Sequence, residues 1–74
     1  MDTSITEVEQ RIMVALISKA AADLASTHER TNLTQTDIVN RAISLYEFID
    51  SELAAGAEVL LRRADNSTDL VGLA

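Results

Sequence analysis

Few residues of this chain have the types and spacing that catalysis requires. The 74 residues include no cysteine, one histidine and two glycines, so the chain offers no thiol nucleophile and no glycine-rich phosphate loop. His28 has no carboxylate partner at a fixed spacing, and Glu47 and Asp50 have the spacing of a solvated helix face. A single histidine is too few ligands for a zinc site. The sequence therefore predicts a protein that is not an enzyme and needs no metal or other cofactor.

The best-defined polar pattern lies between residues 32 and 42, which read NLTQTDIVNRA. Thr34 is a typical helix N-cap, because its side-chain oxygen can accept a hydrogen bond from an unpaired amide of the first turn. Asp37 follows three residues later, where a carboxylate can reach back to the amide of the cap and meets the positive end of the helix dipole. Asn32 tolerates the left-handed conformation on which helices often end. This stretch predicts a tight junction between two helices.

Apolar periodicity predicts the elements on either side of this junction. The run from Ile12 to Ile17 contains three β-branched residues and favours a strand. One helix is expected from about Lys19 to Arg30 and a second from about Gln35 to Ala55, stopped by Gly56. Residues 58–73 alternate around a polar turn, which indicates a β-hairpin.

A competing interpretation concerns the first third of the chain. Ile5, Val8, Ile12 and Leu16 also recur at helical intervals, and Ser4 with Glu7 has the spacing of a capping box. A single helix over residues 5–29 would turn the protein into a three-helix bundle. The β-branched run favours the strand.

Size and composition predict one small domain that associates with itself. Residues 1–9 are expected to be an acidic, flexible arm, residues 10–56 the folded domain, and residues 57–74 a hairpin extension. A chain of this length is marginally stable alone, and a 47% hydrophobic composition with one Phe and one Tyr suits a shared aliphatic core. No apolar run exceeds six residues, which is too short for a membrane span, and no signal-peptide pattern is present. The expectation is a cytoplasmic protein with no membrane partner.

The charge distribution bears on nucleic acid as a partner. The net charge of −6 opposes DNA binding, because phosphates favour a basic face. Residues 1–10 carry −3, whereas residues 11–45 hold four basic and three acidic residues. The acidity therefore lies towards the ends of the chain, and the central segment is slightly basic.

The order strand, helix, tight turn, helix resembles the ribbon-helix-helix family of Arc and Met repressor type. The match is most specific over residues 32–42, which are similar to a signature of family members common in actinobacteria and their phages: small residue, Leu, Ser/Thr, any residue, Thr/Ser, Asp/Glu, two hydrophobic residues, Asn, Arg, Ala. The resemblance implies a homodimer that lays a two-stranded ribbon in the major groove of DNA. The expected fold is therefore mainly α with a short N-terminal strand, a ribbon-helix-helix homodimer with a C-terminal hairpin.

The resemblance also implies roles for individual residues. The outward residues of the ribbon, which would face DNA bases, are Arg11, Met13 and Ala15. Only the arginine can form hydrogen bonds with a base edge, whereas the other two suit thymine methyl groups or a protein surface. Phosphate contacts are implied at the start of the second helix for Thr34, Gln35 and Thr36, whose other role is capping. The implied dimer core consists of Ile12, Val14, Leu16, Ile38, Ala42, Leu45 and Ile49.

Two functions follow from these expectations. The first is a small dimeric DNA-binding transcriptional regulator, of phage or antitoxin type, with double-stranded DNA as its partner. The second is a protein-interaction module, an adaptor or inhibitor that uses the apolar ribbon face or the hairpin of the same dimeric scaffold. The acidic charge and the apolar side chains at Met13 and Ala15 favour the second.

Overall fold

A computed structural model of the chain describes residues 8–72. Two helices, α1 (Ser18–Thr31) and α2 (Gln35–Ala54), precede two short strands, β1 (Leu60–Arg62) and β2 (Thr68–Leu70), which form an antiparallel hairpin. The mainly helical character and the C-terminal hairpin predicted from the sequence are confirmed. Residues 1–7 of the predicted arm lie outside the described residues.

The predicted N-terminal strand over residues 12–17 is wrong, and with it the ribbon-helix-helix fold class. Residues 8–17 form neither helix nor strand, and the one sheet among residues 8–72 pairs β1 with β2. The backbone at Ile17 is extended, with φ −71° and ψ 162°. The β-branched run thus favours an extended backbone, but a strand also needs a neighbour for its ladder of hydrogen bonds. The competing single helix over residues 5–29 is equally wrong between residues 8 and 17.

The two helices begin and end within about one residue of the predicted positions. α1 has no side-chain cap at its start, and an exposed ion pair joins Lys19 Nζ to Asp23 at 2.8 Å. Such a pair at i,i+4 stabilises a helix by only about 0.3–0.5 kcal/mol. α2 ends just before Gly56, whose φ of 98° is a conformation that glycine adopts at little cost.

The described residues contain no buried side chain. α1 contacts α2, but neither strand packs against a helix. The best-covered large apolar residues are only half-buried, and they are Leu24, Leu33, Ile38, Ile49, Leu53, Val59 and Val71. The helices and the hairpin therefore lack the enclosed core that a folded domain requires.

The hairpin is held by its own backbone and by its turn. Its register pairs Leu60 with Leu70 and Arg62 with Thr68. Because side chains alternate along a strand, these four residues share one face, and Val59, Leu61, Asp69 and Val71 share the other. At the turn, the carboxylate of Asp65 accepts hydrogen bonds from the Ser67 hydroxyl (2.6 Å) and amide (2.9 Å).

These two hydrogen bonds make the turn sensitive to acid. The Ser67 hydroxyl and amide stabilise the charged carboxylate and hold the pKa of Asp65 below its ordinary value of 3.8. A lowered pKa in the folded hairpin means that the carboxylate stabilises the turn above pH 3.8, and that this contribution is lost as the pH falls through the folded pKa. We expect the Ser67 amide resonance to titrate with a midpoint below 3.8, and Ser67→Ala to raise the pKa of Asp65. A midpoint at or above 3.8 in the unmodified chain would contradict this prediction.

Candidate functional site

The junction between α1 and α2 has the backbone geometry that its sequence predicts. Asn32 is left-handed, with φ 61° and ψ 13°, and its amide donates a hydrogen bond to the carbonyl of His28 at 2.8 Å. Thr34 is extended, and its hydroxyl oxygen accepts a hydrogen bond from the Asp37 amide at 3.1 Å. The described contacts include no hydrogen bond from the Thr34 amide to the Asp37 carboxylate, so the reciprocal half of the predicted capping box is missing.

Two further side chains fix the short loop of this junction, and the sequence analysis did not identify them. The Nδ1 atom of His28 donates a hydrogen bond to the carbonyl oxygen of Leu33 at 2.6 Å, because a carbonyl oxygen can only accept. The hydroxyl of Thr31 donates to the carbonyl of Thr27 at 2.7 Å and accepts from the Leu33 amide at 3.2 Å. A hydroxyl or imidazole in the last turn of a predicted helix is the signal that could have revealed these contacts.

The start of α2 presents the three residues for which phosphate contacts were predicted. Thr34, Gln35 and Thr36 are all exposed, and the amides of a first helical turn have no partner within the helix. Such amides can donate hydrogen bonds to an anion at the positive end of the helix dipole. The half-buried Asp37 brings a negative charge close to the same place and opposes an anion. The amide group of Asn40 is already used, because its Nδ2 donates to the carbonyl of Thr36 at 2.7 Å.

The three predicted base-contact residues lie on the exposed segment before α1. Arg11 and Ala15 are exposed, and the side chain of Met13 is 99% exposed. No hydrogen bond or ion pair joins Arg11 to another described residue. The segment therefore leaves a guanidinium and a thioether open to solvent, and no described contact links them to the start of α2.

The residues predicted to form one dimer core divide between two surfaces. Leu16, Ile38 and Ala42 line a groove of about 710 Å³ between the helices, hereafter the helix groove, together with Leu24, Val39, Ile43 and Tyr46. Leu45 and Ile49 instead line a cleft of about 360 Å³ beside the hairpin, hereafter the hairpin cleft, together with Phe48, Glu52 and Val59. Ile12 and Val14 line neither cavity.

The two faces of α2 explain this division. Val39, Ile43 and Tyr46 recur at helical spacing towards α1, and Leu45, Phe48 and Glu52 recur on another side of the same helix. α2 therefore carries apolar residues on more than one face. Phe48 was not among the predicted site residues, although its spacing from Leu45 identifies it as part of the second face.

The charged side chains that border the helix groove are acidic. The helix groove is bordered by Asp23, Glu47 and Asp50, and the last turn of α2 contains no basic residue.

The described residues include no group of three or more metal-ligating side chains. None of the described helices is long and apolar enough to span a membrane.

Comparisons with protein families, with characterised proteins and with solved structures find no match to this chain. The functional argument therefore depends on the geometry of residues 8–72 and on the chemistry of their side chains.

The cap of α2 can be tested by two substitutions of the same residue. Thr34→Ala removes the acceptor of the Asp37 amide and should lower the free energy of unfolding by about 1 kcal/mol. Thr34→Ser keeps the hydroxyl and should remain close to the unmodified protein. Urea denaturation followed by far-ultraviolet circular dichroism measures both. Equal stability of Thr34→Ala and Thr34→Ser would show that the hydroxyl does not act as a cap.

Proposed function

We propose that this protein is a small DNA-binding transcriptional regulator that acts as a dimer. The observation that carries the proposal is the absence of any buried side chain among residues 8–72, in a chain whose helix groove is lined with leucine, isoleucine and valine. A second copy would close this groove, and the resulting dimer would carry two exposed amino-terminal ends of α2. A two-fold symmetric protein of this kind suits the repeated backbone of a DNA duplex.

The exposed surface area supports a second copy as the cover of the groove. The chain exposes 6747 Å², whereas a folded monomer of 8.0 kDa is expected to expose about 4,450 Å². The excess of about 2,300 Å² includes the exposed segment over residues 8–17, and it is larger than the ~800 Å² that each partner buries in a standard protein interface.

DNA as the ligand is supported by three features of the exposed surface. The amides and hydroxyls at the start of α2 suit a phosphate, and Arg11 suits a phosphate or a guanine edge. Residues 11–45 are slightly basic. The proposal does not include a β-ribbon; it assigns the DNA contacts to the exposed segment over residues 8–17 and to Thr34, Gln35 and Thr36. It also assigns the protein to the cytoplasm, where a prokaryotic regulator meets its DNA.

A protein-interaction module is the second candidate, and the 99% exposure of Met13 favours it. An unbranched, polarisable side chain held in solvent suits an adaptable protein contact. The net charge of −6 repels nucleic acid but does not oppose a basic protein partner. The two candidates share the dimer and differ in what residues 8–17 contact.

Self-association can be tested by a charge placed in the helix groove. In an isolated chain Ile43 is 55% exposed, so Ile43→Glu should have little effect on a monomer. In a dimer that closes the groove, the same carboxylate would be desolvated, at a cost of about 3 kcal/mol or more. We expect the unmodified protein to sediment as a dimer and Ile43→Glu as a monomer at equal concentration.

Ser44→Glu is the matched control, because Ser44 is exposed and lines neither the helix groove nor the hairpin cleft. It adds the same charge one residue along and should preserve the dimer. A stably folded monomer of the unmodified chain would overturn the dimer and the regulator proposal together.

DNA binding can be tested by fluorescence anisotropy with random genomic fragments. Phosphate contacts require the logarithm of the affinity to fall linearly with the logarithm of the salt concentration. Arg11→Ala should weaken binding by about 1–3 kcal/mol, and Thr36→Ala should weaken it evenly across sequences, because phosphate contacts carry no base information.

Arg63→Ala provides the matched loss of an arginine, since Arg63 lies on the hairpin and already pairs with Asp69. It should leave the salt dependence unchanged. If the unmodified dimer ignores DNA even at low salt, the regulator proposal is wrong and the protein-interaction module replaces it.

A further inference from the structure

The hairpin carries an apolar face that no other element within residues 8–72 covers. Leu60 and Leu70 are directly opposite each other across the two strands and are 63% and 61% exposed. Neither strand packs against α1 or α2. A two-stranded hairpin alone is marginally stable in water and needs a surface to pack against. The Leu60–Leu70 face therefore requires a partner surface.

A second apolar face without a cover among the described residues lies on α2. Leu45 and Phe48 are 58% and 62% exposed, and Glu52 continues the same face at helical spacing. A phenylalanine and a leucine one turn apart form an apolar patch that, in the described residues, borders only the open hairpin cleft.

The charges at the edges of these two faces are opposite. Arg62 lies on the Leu60–Leu70 face of the hairpin and forms no ion pair with a described residue, unlike Arg63, which pairs with Asp69. Glu52 has no ion-pair partner among the described residues either. It also lies near the C-terminal end of α2, whose negative dipole attracts a cation and which has no basic residue in its last turn. An arginine arriving beside Glu52 would thus meet two favourable fields.

The alternation of side chains excludes the hairpin's own α2 as the surface that receives this face. Val59 lines the hairpin cleft with Phe48 and Glu52 of the same chain. Since Leu60 follows Val59 in an extended strand, it points to the opposite side of the hairpin and away from that helix. Among the described residues, neither helix of the same chain covers the Leu60–Leu70 face.

We infer that the Leu60–Leu70 face of the hairpin docks on the Leu45–Phe48 face of α2 in a second copy of this chain, with Arg62 paired to Glu52. The inference rests on the dimer of the proposed function and deepens it, because it assigns the hairpin to the interface. In a symmetric dimer the contact occurs twice, since each copy supplies one hairpin and one helix face. The hairpin would then contribute to dimer stability and lie apart from the start of α2.

A charge swap between two copies tests the contact. Glu52→Arg and Arg62→Glu each create two like-charge contacts in their own dimer and should weaken dimerisation about tenfold in sedimentation equilibrium. A mixture of the two variants restores an opposite-charge pair at both contacts, so the mixed dimer should form with nearly the affinity of the unmodified protein. Glu29→Arg is the matched control on exposed α1: its mixture with Arg62→Glu restores only one of the two contacts, so this mixed dimer should have an intermediate affinity, clearly below that of the Glu52→Arg and Arg62→Glu mixture.

The outcomes separate this inference from the proposed dimer. If the unmodified chain is a monomer, both are wrong. If it is a dimer that neither substitution weakens, or if rescue occurs only when both substitutions are in one chain, the hairpin contact is wrong and the dimer remains.

A crosslink gives a second measurement that does not depend on charge. The chain has no cysteine, so Phe48→Cys and Leu60→Cys can be introduced into separate copies, mixed and oxidised. A disulfide-linked dimer on a denaturing gel supports the contact, with Phe48→Cys mixed with Ser26→Cys as the control that should remain unlinked. If the first mixture links no more than the control, the contact is overturned.

Discussion

The main physical constraint on this molecule is that little of its apolar surface is covered. A helix is apolar along a stripe and a sheet along a face, and each needs a second layer to exclude water. In residues 8–72, α1 covers only part of α2, and the hairpin covers none of either helix. As a result, leucine, isoleucine and valine side chains remain half-exposed or exposed on three separate surfaces. Residues 8–72 contain no further helix or strand that could form the missing layer, and in the proposed dimer a second copy would supply it.

The helix junction is the exception, because its stability comes from contacts between near neighbours in sequence. The left-handed Asn32, the Thr34 cap and the contact from His28 to the Leu33 carbonyl all join residues at most five positions apart. These contacts fix where α1 stops and where α2 starts without any buried core. They also hold the exposed hydroxyls of Thr34 and Thr36 at a defined helix start, which is what an anion-binding function would require.

The difference between local and distant contacts explains what the sequence could predict. Helix ends were predicted to within about one residue because caps and left-handed stops depend on a few adjacent side chains. The strand over residues 12–17 was wrong because β-branched residues favour an extended backbone, but a strand exists only with a hydrogen-bonded neighbour. The apolar residues of α2 were predicted to form one dimer core, yet their division between the helix groove and the hairpin cleft depends on where α1 and the hairpin lie. Periodicity in one helix carries no information on that placement.

The two apolar faces of α2 would also allow dimer contacts and anion binding to use different parts of the helix. The helix groove and the hairpin cleft lie on different sides of the helix, so a second copy could close both without covering the amino end, where Thr34, Gln35 and Thr36 are exposed. The acidic residues Glu47, Asp50 and Glu52 all lie in the second half of α2. Most of the helix's negative charge therefore lies away from its amino end, where Asp37 is the one acidic residue of the first turn. This spacing reconciles an acidic protein with an anion-binding helix start, because exposed charges more than about 10 Å apart are largely screened at moderate salt.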